Sequence, residues 1–142
     1  MPSTEAPQEL EQAYEAGLRR YLDGDPLGEV LADFEALARL HPRDPRLVLS
    51  LSWLYTLEGH KEPALRYAKL ARTSAQGRFN QVLAMLTFGE KGVRDRFEEA
   101  LHSAHPDEIQ DAIDNLNDAL ARKGGQYPAA TKMLDWLQHR HH

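Results

Sequence analysis

The chain has no cysteine, so disulfide bridges and thiol chemistry are excluded while any compartment stays open. It has no apolar run of membrane-spanning length, because the stretch from Leu47 to Leu57 is broken by Ser50 and Ser52. The opening MPSTEAPQELEQ is polar and acidic where a secretory signal needs a basic flank and an apolar block. Positive charge is in deficit. The formal net charge of −5 argues against a general binder of nucleic acid, which needs an excess of Lys and Arg. No segment alternates apolar and polar residues for long enough to make a strand. G-x-S-x-G, H-E-x-x-H and a phosphate-cradling glycine loop are all missing. The paired carboxylates lie on solvated faces, where nothing raises one pKa and lowers the other. The expectation is a cytoplasmic, non-enzymatic domain with no cofactor, no catalytic or metal site, and no nucleic-acid or membrane partner.

What is present is helix. At 142 residues, 42% apolar and 27% charged, the chain is long enough for one domain with its own core and too apolar for a disordered one. It is organised around Pro45 to Ala75. Leu47, Val48, Leu49, Leu51, Trp53, Leu54, Tyr55 and Leu57 leave the first half no polar face, so it belongs in an interior. After Glu58-Gly59-His60, the second half is amphipathic, with Ala64, Leu65, Ala68, Leu70 and Ala71 against Lys61, Arg66, Lys69 and Arg72. Before this hairpin, a leader over 1–7 precedes a helix from about Gln8 to Asp23. Gly24-Asp25-Pro26 stops that helix, and Asp25 is the expected cap of the next one, whose stripe is Leu27, Val30, Leu31, Phe34, Leu37 and Ala38. Asp44 and Pro45 are the cap and first residue of the central hairpin.

Beyond the joint Ala75-Gln76-Gly77-Arg78, the spacing predicts a helix over about Phe79 to Phe88 and another over about Val93 to Ala104. His105-Pro106 breaks the second. Ile109, Ala112, Ile113, Leu116, Ala119 and Leu120 then form the clearest apolar stripe, and Gly124-Gly125 ends it. Pro128 opens a last helix with Ala130, Met133, Leu134 and Leu137 facing inward. The expected fold is all-α: eight helices in four stacked antiparallel hairpins over 8–139, followed by a frayed tail at 140–142.

Joints of this spacing are a reason to look for a period. A shift of about 34 residues sets Tyr14 on Val48, Leu18 on Ser52 and Tyr21 on Tyr55. In the second helices it sets Val30 on Ala64, Leu31 on Leu65, Phe34 on Ala68 and Leu37 on Ala71. Gly24 and Gly59 fall at the two turns, one residue out of step. The central hairpin carries Leu51, Tyr55, Gly59, Ala64 and Ala71, with Val48 and Ser52 in an aromatic's and a glycine's place. The earlier one carries Tyr14, Tyr21, Gly24, Phe34 and Pro42, with Val30 in an alanine's place. This pattern resembles the tetratricopeptide repeat, with repeats at 11–44 and 45–78 and divergent hairpins at 79–105 and 106–139.

The resemblance implies an α-solenoid with a right-handed superhelix, in which the first helices of successive pairs line a concave groove for a partner's peptide or helix. Carried onto this chain, the groove-facing positions are Gln12, Glu15 and Arg19, then Arg46, Leu49 and Trp53, then Asn80, Leu83 and Thr87. Arg19 and Arg46 would orient the partner at the rim. A second use of the same fold is a homodimer, the end helix with Met133, Leu134 and Trp136 being covered by another copy.

Several features have two readings. Trp53 is either core packing or an anchor for an apolar partner side chain. His102 and His105, near Asp107, are either surface histidines or part of a metal site. His139, His141 and His142 read as a tail with weak in-vitro affinity for Ni²⁺ or Zn²⁺. The stripe Asp107, Asp111, Asp114 and Asp118 is a solvated face or a docking surface for a basic partner. Lys61 to Arg78, with five Lys or Arg against Glu62 alone, is its basic counterpart.

Overall fold

One backbone device closes four helix-to-helix joints and sets the layout of the chain. In the computed structural model, which describes residues 2–140 and side chains from Gln8 onward, the helices are α1 (Pro2–Leu22), α2 (Leu27–Leu40), α3 (Pro45–Glu58), α4 (Lys61–Leu70), α5 (Ala75–Phe88), α6 (Val93–His102), α7 (Pro106–Arg122) and α8 (Pro128–Gln138). A 3-10 turn covers Ala71–Thr73, and no strand occurs among the described residues. α1, α3, α5 and α7 each run into a left-handed glycine, namely Gly24, Gly59, Gly89 and Gly124. The following amide then turns back on the helix: Asp25 donates to the Arg20 carbonyl, His60 to Tyr55, Glu90 to Met85 and Gly125 to Leu120, at 2.7 to 3.1 Å. These bonds satisfy carbonyls that the helix end leaves open, and only glycine takes that φ without cost.

The shared turn also corrects the register read from the sequence. With Gly24 matched to Gly59, Tyr14 corresponds to Leu49 and Leu18 to Trp53. The second helices keep the other pairing, Val30 with Ala64 and Phe34 with Ala68, all four of them buried. The cause is a link one residue longer in the first hairpin, where Asp25 and Pro26 precede α2 while His60 alone precedes α4.

Side-chain caps fix the starts of α3, α5 and α7, while α2, α4, α6 and α8 have none. The Asp44 carboxylate accepts the Arg46 amide at 2.9 Å, ahead of Pro45. The His105 amide donates to Glu108 at 2.8 Å at the head of α7. Two starts differ from expectation. α5 begins at Ala75 rather than near Phe79, because Ser74 Oγ accepts the Gly77 amide at 3.0 Å and caps it. Asp25 does not cap α2; its carboxylate accepts Arg20 Nε at 2.8 Å. Arg20 also donates to Asp33 and Glu29, fastening α1 to α2. Helix α1 already begins at Pro2, within the expected leader. Met1, His141 and His142, and the side chains of residues 1–7, lie outside the described residues.

Helices neighbouring in sequence pack together from α1 through α6, as do α7 and α8, and α5 also lies against α3, α7 and α8. The core has two lobes. Val30, Leu31, Phe34, Leu47, Leu51, Leu54, Tyr55 and Ala64 form one. The other gathers Leu57, Phe79, Val82 and Leu83 with Phe97, Leu116, Met133 and Leu137. Tyr21, Leu27 and Trp53 pack against both. A polar seam fixes α3 on α5: Asn80 Nδ2 donates to Ser52 Oγ at 3.0 Å and to the Leu49 carbonyl at 3.4 Å. The serine that interrupts the apolar run is thus buried and paired, as a buried hydroxyl requires. No helix among the described residues is long and apolar enough to cross a membrane.

The tightest approach is at Gly77, where a Cβ would lie 1.5 Å from the Ala71 carbonyl oxygen. Gly77→Ala must therefore move backbone, and it is expected to cost about 3 kcal/mol or more, lowering the melting temperature by roughly 10 °C. At Gly17 a Cβ meets the Phe34 ring at 2.8 Å, and a side chain can shift, so Gly17→Ala should cost about 1 kcal/mol in the same thermal melts.

Partial burial opposes the Asp44 charge, but the Arg46 guanidinium and the Arg46 and Leu47 amides outweigh it and hold the carboxyl below its usual value. A depressed folded pKa means that the stabilisation is complete above the unfolded value, about 3.9, and is lost as pH falls through the folded one. Asp44→Ala is expected to lower stability by about 1 kcal/mol at neutral pH. Urea titrations across pH should show the gap to wild type closing as acid protonates the carboxylate.

Candidate partner-binding groove

The left-handed turns bring one face of α1, α3, α5 and α7 around a common hollow. α1 presents Tyr14, Leu18, Tyr21 and Leu22, spaced three and four apart, and α3 presents Leu49, Ser50, Trp53 and Leu54. Gln76 and Asn80 come from α5, Asn115 and Asp118 from α7, and Phe34 of α2 stands behind Tyr14. Together they enclose about 270 Å³, at the small end of what binds a ligand, or room for one or two apolar side chains.

The floor is a run of aromatic contacts. Trp53 Nε1–H donates to Tyr21 Oη at 2.9 Å. The Tyr21 ring faces the Arg122 guanidinium at 4.4 Å. Tyr14 meets Phe34 edge-on at 5.9 Å and carries Arg46 over its ring at 4.8 Å. Burial pushes the Tyr21 phenol up, and the Asp118 carboxylate adds to this while the Trp53 indole and Arg122 oppose it. Tyr21 is therefore a neutral hydroxyl at any physiological pH. On the opposite wall, Asn115 Nδ2 donates to Gln76 Oε1 at 2.9 Å, bridging α7 to α5.

Arg122 closes one end. Its guanidinium donates to the Asp25 carbonyl at 2.9 Å and to the Tyr21 carbonyl, while Lys123 Nζ donates to the Leu57 carbonyl at 2.7 Å. Two cations from the end of α7 thus neutralise the negative C-terminal ends of α1 and α3. The fourth hairpin is fastened back onto the first two.

Of the residues expected in the groove, Leu49, Trp53 and Asn80 line it. Trp53 is half-buried, so it packs in the core and faces the hollow at once. Gln12, Glu15 and Arg19 are exposed on α1 but do not line the hollow; Tyr14 and Leu18 take those places, as the corrected register requires. Arg46 sits at the rim with its charge already engaged by Glu11 and Asp44. Leu83 is fully buried, and Thr87 Oγ1 bonds the Leu83 carbonyl at 2.7 Å and lies 2.8 Å from Tyr127 Oη. Both are covered by the last two helices, so α5 contributes Gln76 and Asn80 alone. Gln76 belonged to a stretch read as a joint, and the Ser74-to-Gly77 cap was the signal that would have placed it on a helix.

The other features resolve simply. His102 and His105 are exposed, and among the described residues no three His, Asp or Glu side chains gather closely enough to hold a metal ion. Met133 and Leu134 are buried within the chain, and Trp136 packs on Phe97 at 5.2 Å under Arg94. Compared with protein families, with curated proteins and with solved structures, the chain matches none.

Arg122 ties the groove to the fold. Replacing it with methionine keeps the stem and removes the charged bonds and the ring contact, so Arg122→Met should cost about 2 kcal/mol. Urea unfolding measures that loss, and a changed Trp53 emission at low denaturant, recorded in a Trp136→Phe background, would show Tyr21 released.

Proposed function

We propose that this chain is a non-catalytic interaction module of tetratricopeptide type, binding an apolar segment of a protein partner in the groove walled by α1, α3, α5 and α7. What carries the reading is exposed apolar surface at a concave site. Leu18 is 37% and Leu22 74% exposed at the lip, beside the half-buried Trp53. Solvent-facing leucines around a hollow with an aromatic floor are what a docking groove presents, with tryptophan as the anchor. The four identical glycine turns and the packing of neighbouring helices favour a short right-handed stack, curled by the Arg122 clasp.

Two consequences distinguish this from the homodimer reading. Met133, Leu134 and Leu137 of α8 are already buried by the chain itself and Trp136 is half-buried on Phe97, which leaves that end little apolar surface for a second copy. The recognition surface instead lies between α1 and α3. Leu22→Asp changes an exposed side chain and should leave the melting temperature within a few degrees of wild type. In affinity capture from source cells, a partner retained by wild type should be lost from the Leu22→Asp protein. A peptide of that partner should then shift Trp53 emission in the Trp136→Phe protein. Identical captured sets for folded wild type and Leu22→Asp would remove the groove as the recognition surface.

A further inference from the structure

We infer that the segment this groove takes is basic and amphipathic, with apolar side chains on one face flanked by lysine or arginine. The inference rests on the groove being the docking site and adds the chemistry of its occupant. The hollow itself accepts apolar groups, since Leu49, Leu54 and Trp53 meet there. Its rim is not electrically neutral. Two of the cations beside it are engaged within the chain: Arg46 by Glu11 and Asp44, Arg122 by two backbone carbonyls. The carboxylates are not. Asp118 lines the groove, and Asp111 lies two turns before it on the same side of α7. Glu15 stands one turn before Leu18 on α1. Asp111, Asp118 and Glu15 are exposed and form no ion pair among the described residues. Arg19 is the one exposed cation on that wall, a single residue beyond Leu18. Acid therefore outweighs base on the α7 side of an apolar slot, while Glu15 and Arg19 offset one another on the α1 side, in a chain whose net charge is already −5. Such a rim speeds encounter with a cationic partner and repels an anionic one.

Two synthetic amphipathic helices with the same leucine face, one carrying lysine and the other glutamate, test this in the Trp136→Phe protein with Trp53 emission as the readout. The lysine peptide should bind about tenfold or more tighter at low ionic strength, the ratio narrowing in about 0.5 M salt. Asp111→Asn with Asp118→Asn should remove most of the preference. Glu62→Gln with Asp95→Asn, on helices that do not line the groove, should leave it intact. Equal binding of the two peptides, or a preference that survives the Asp111 and Asp118 changes, overturns the inference while leaving the groove in place. If neither peptide perturbs Trp53, the groove reading falls and this one with it. A concentration-dependent mass in sedimentation that Leu22→Asp abolishes would put a second copy in the slot and overturn the basic partner.

Discussion

Helix α5 has half its residues buried and none fully exposed, and that constraint shapes the molecule. It must be approached by α3 and α4 on one side and by α6, α7 and α8 on the other. Such enclosure demands small residues where backbones meet. Gly77 and Ala75 at its start let the chain from Ala71 pass close by, and Ala84 is buried without any exposed area. A side chain at Gly77 would lift the start of α5 away from the central hairpin. The Asn80 to Ser52 bond, one turn further on, could not then form, and the two core lobes would lose their seam.

The same enclosure decides where the groove ends. Because Leu83 is buried in the second core lobe and Thr87 is half-buried against Tyr127, the hollow is confined to the first turn and a half of that helix. Arg122 fixes this arrangement from the far end of α7. Its bonds go to the Tyr21 carbonyl in the last turn of α1, which also accepts the Gly24 amide, and to the Asp25 carbonyl in the link, so the clasp sets a cation at the negative end of α1 while it positions α7.

Much of this was legible in the residues. All-helical architecture, the joints, the Asp44-Pro45 cap and the interior character of α3 follow from period, glycine and proline. What could not be read was register. The apolar pattern of α1 tolerates a slip of one position, because either register gives two of Tyr14, Leu18 and Tyr21 an apolar or aromatic counterpart and the third a polar one, Ser52 or Thr56. The glycine at the turn is the firmer marker, since its φ excludes other residues while a stripe of mixed apolar side chains excludes little. That slip exchanged Tyr14 and Leu18 for Glu15 and Arg19. The fate of Arg46 was hidden for a different reason: its partner Glu11 is distant in sequence, and an ion pair across two helices leaves no local pattern. Arg122 was hidden likewise, reading as a last-turn cation and acting on carbonyls of the first hairpin.

The groove floor and the core are the same residues, and this limits how the site can vary. Tyr21 and Trp53 pack against both lobes while their shared hydrogen bond lies at the base of the hollow. A substitution that altered the floor would also loosen the junction between the lobes, so floor chemistry is held by stability. The lip is under no such constraint. Leu22 on one side, and Asp111 and Asp118 on the other, are exposed and can change with little disturbance to the fold. In the proposed binding role, specificity would therefore reside at the rim, where charge and exposed leucine are adjustable, around an anchor pocket whose shape the core dictates.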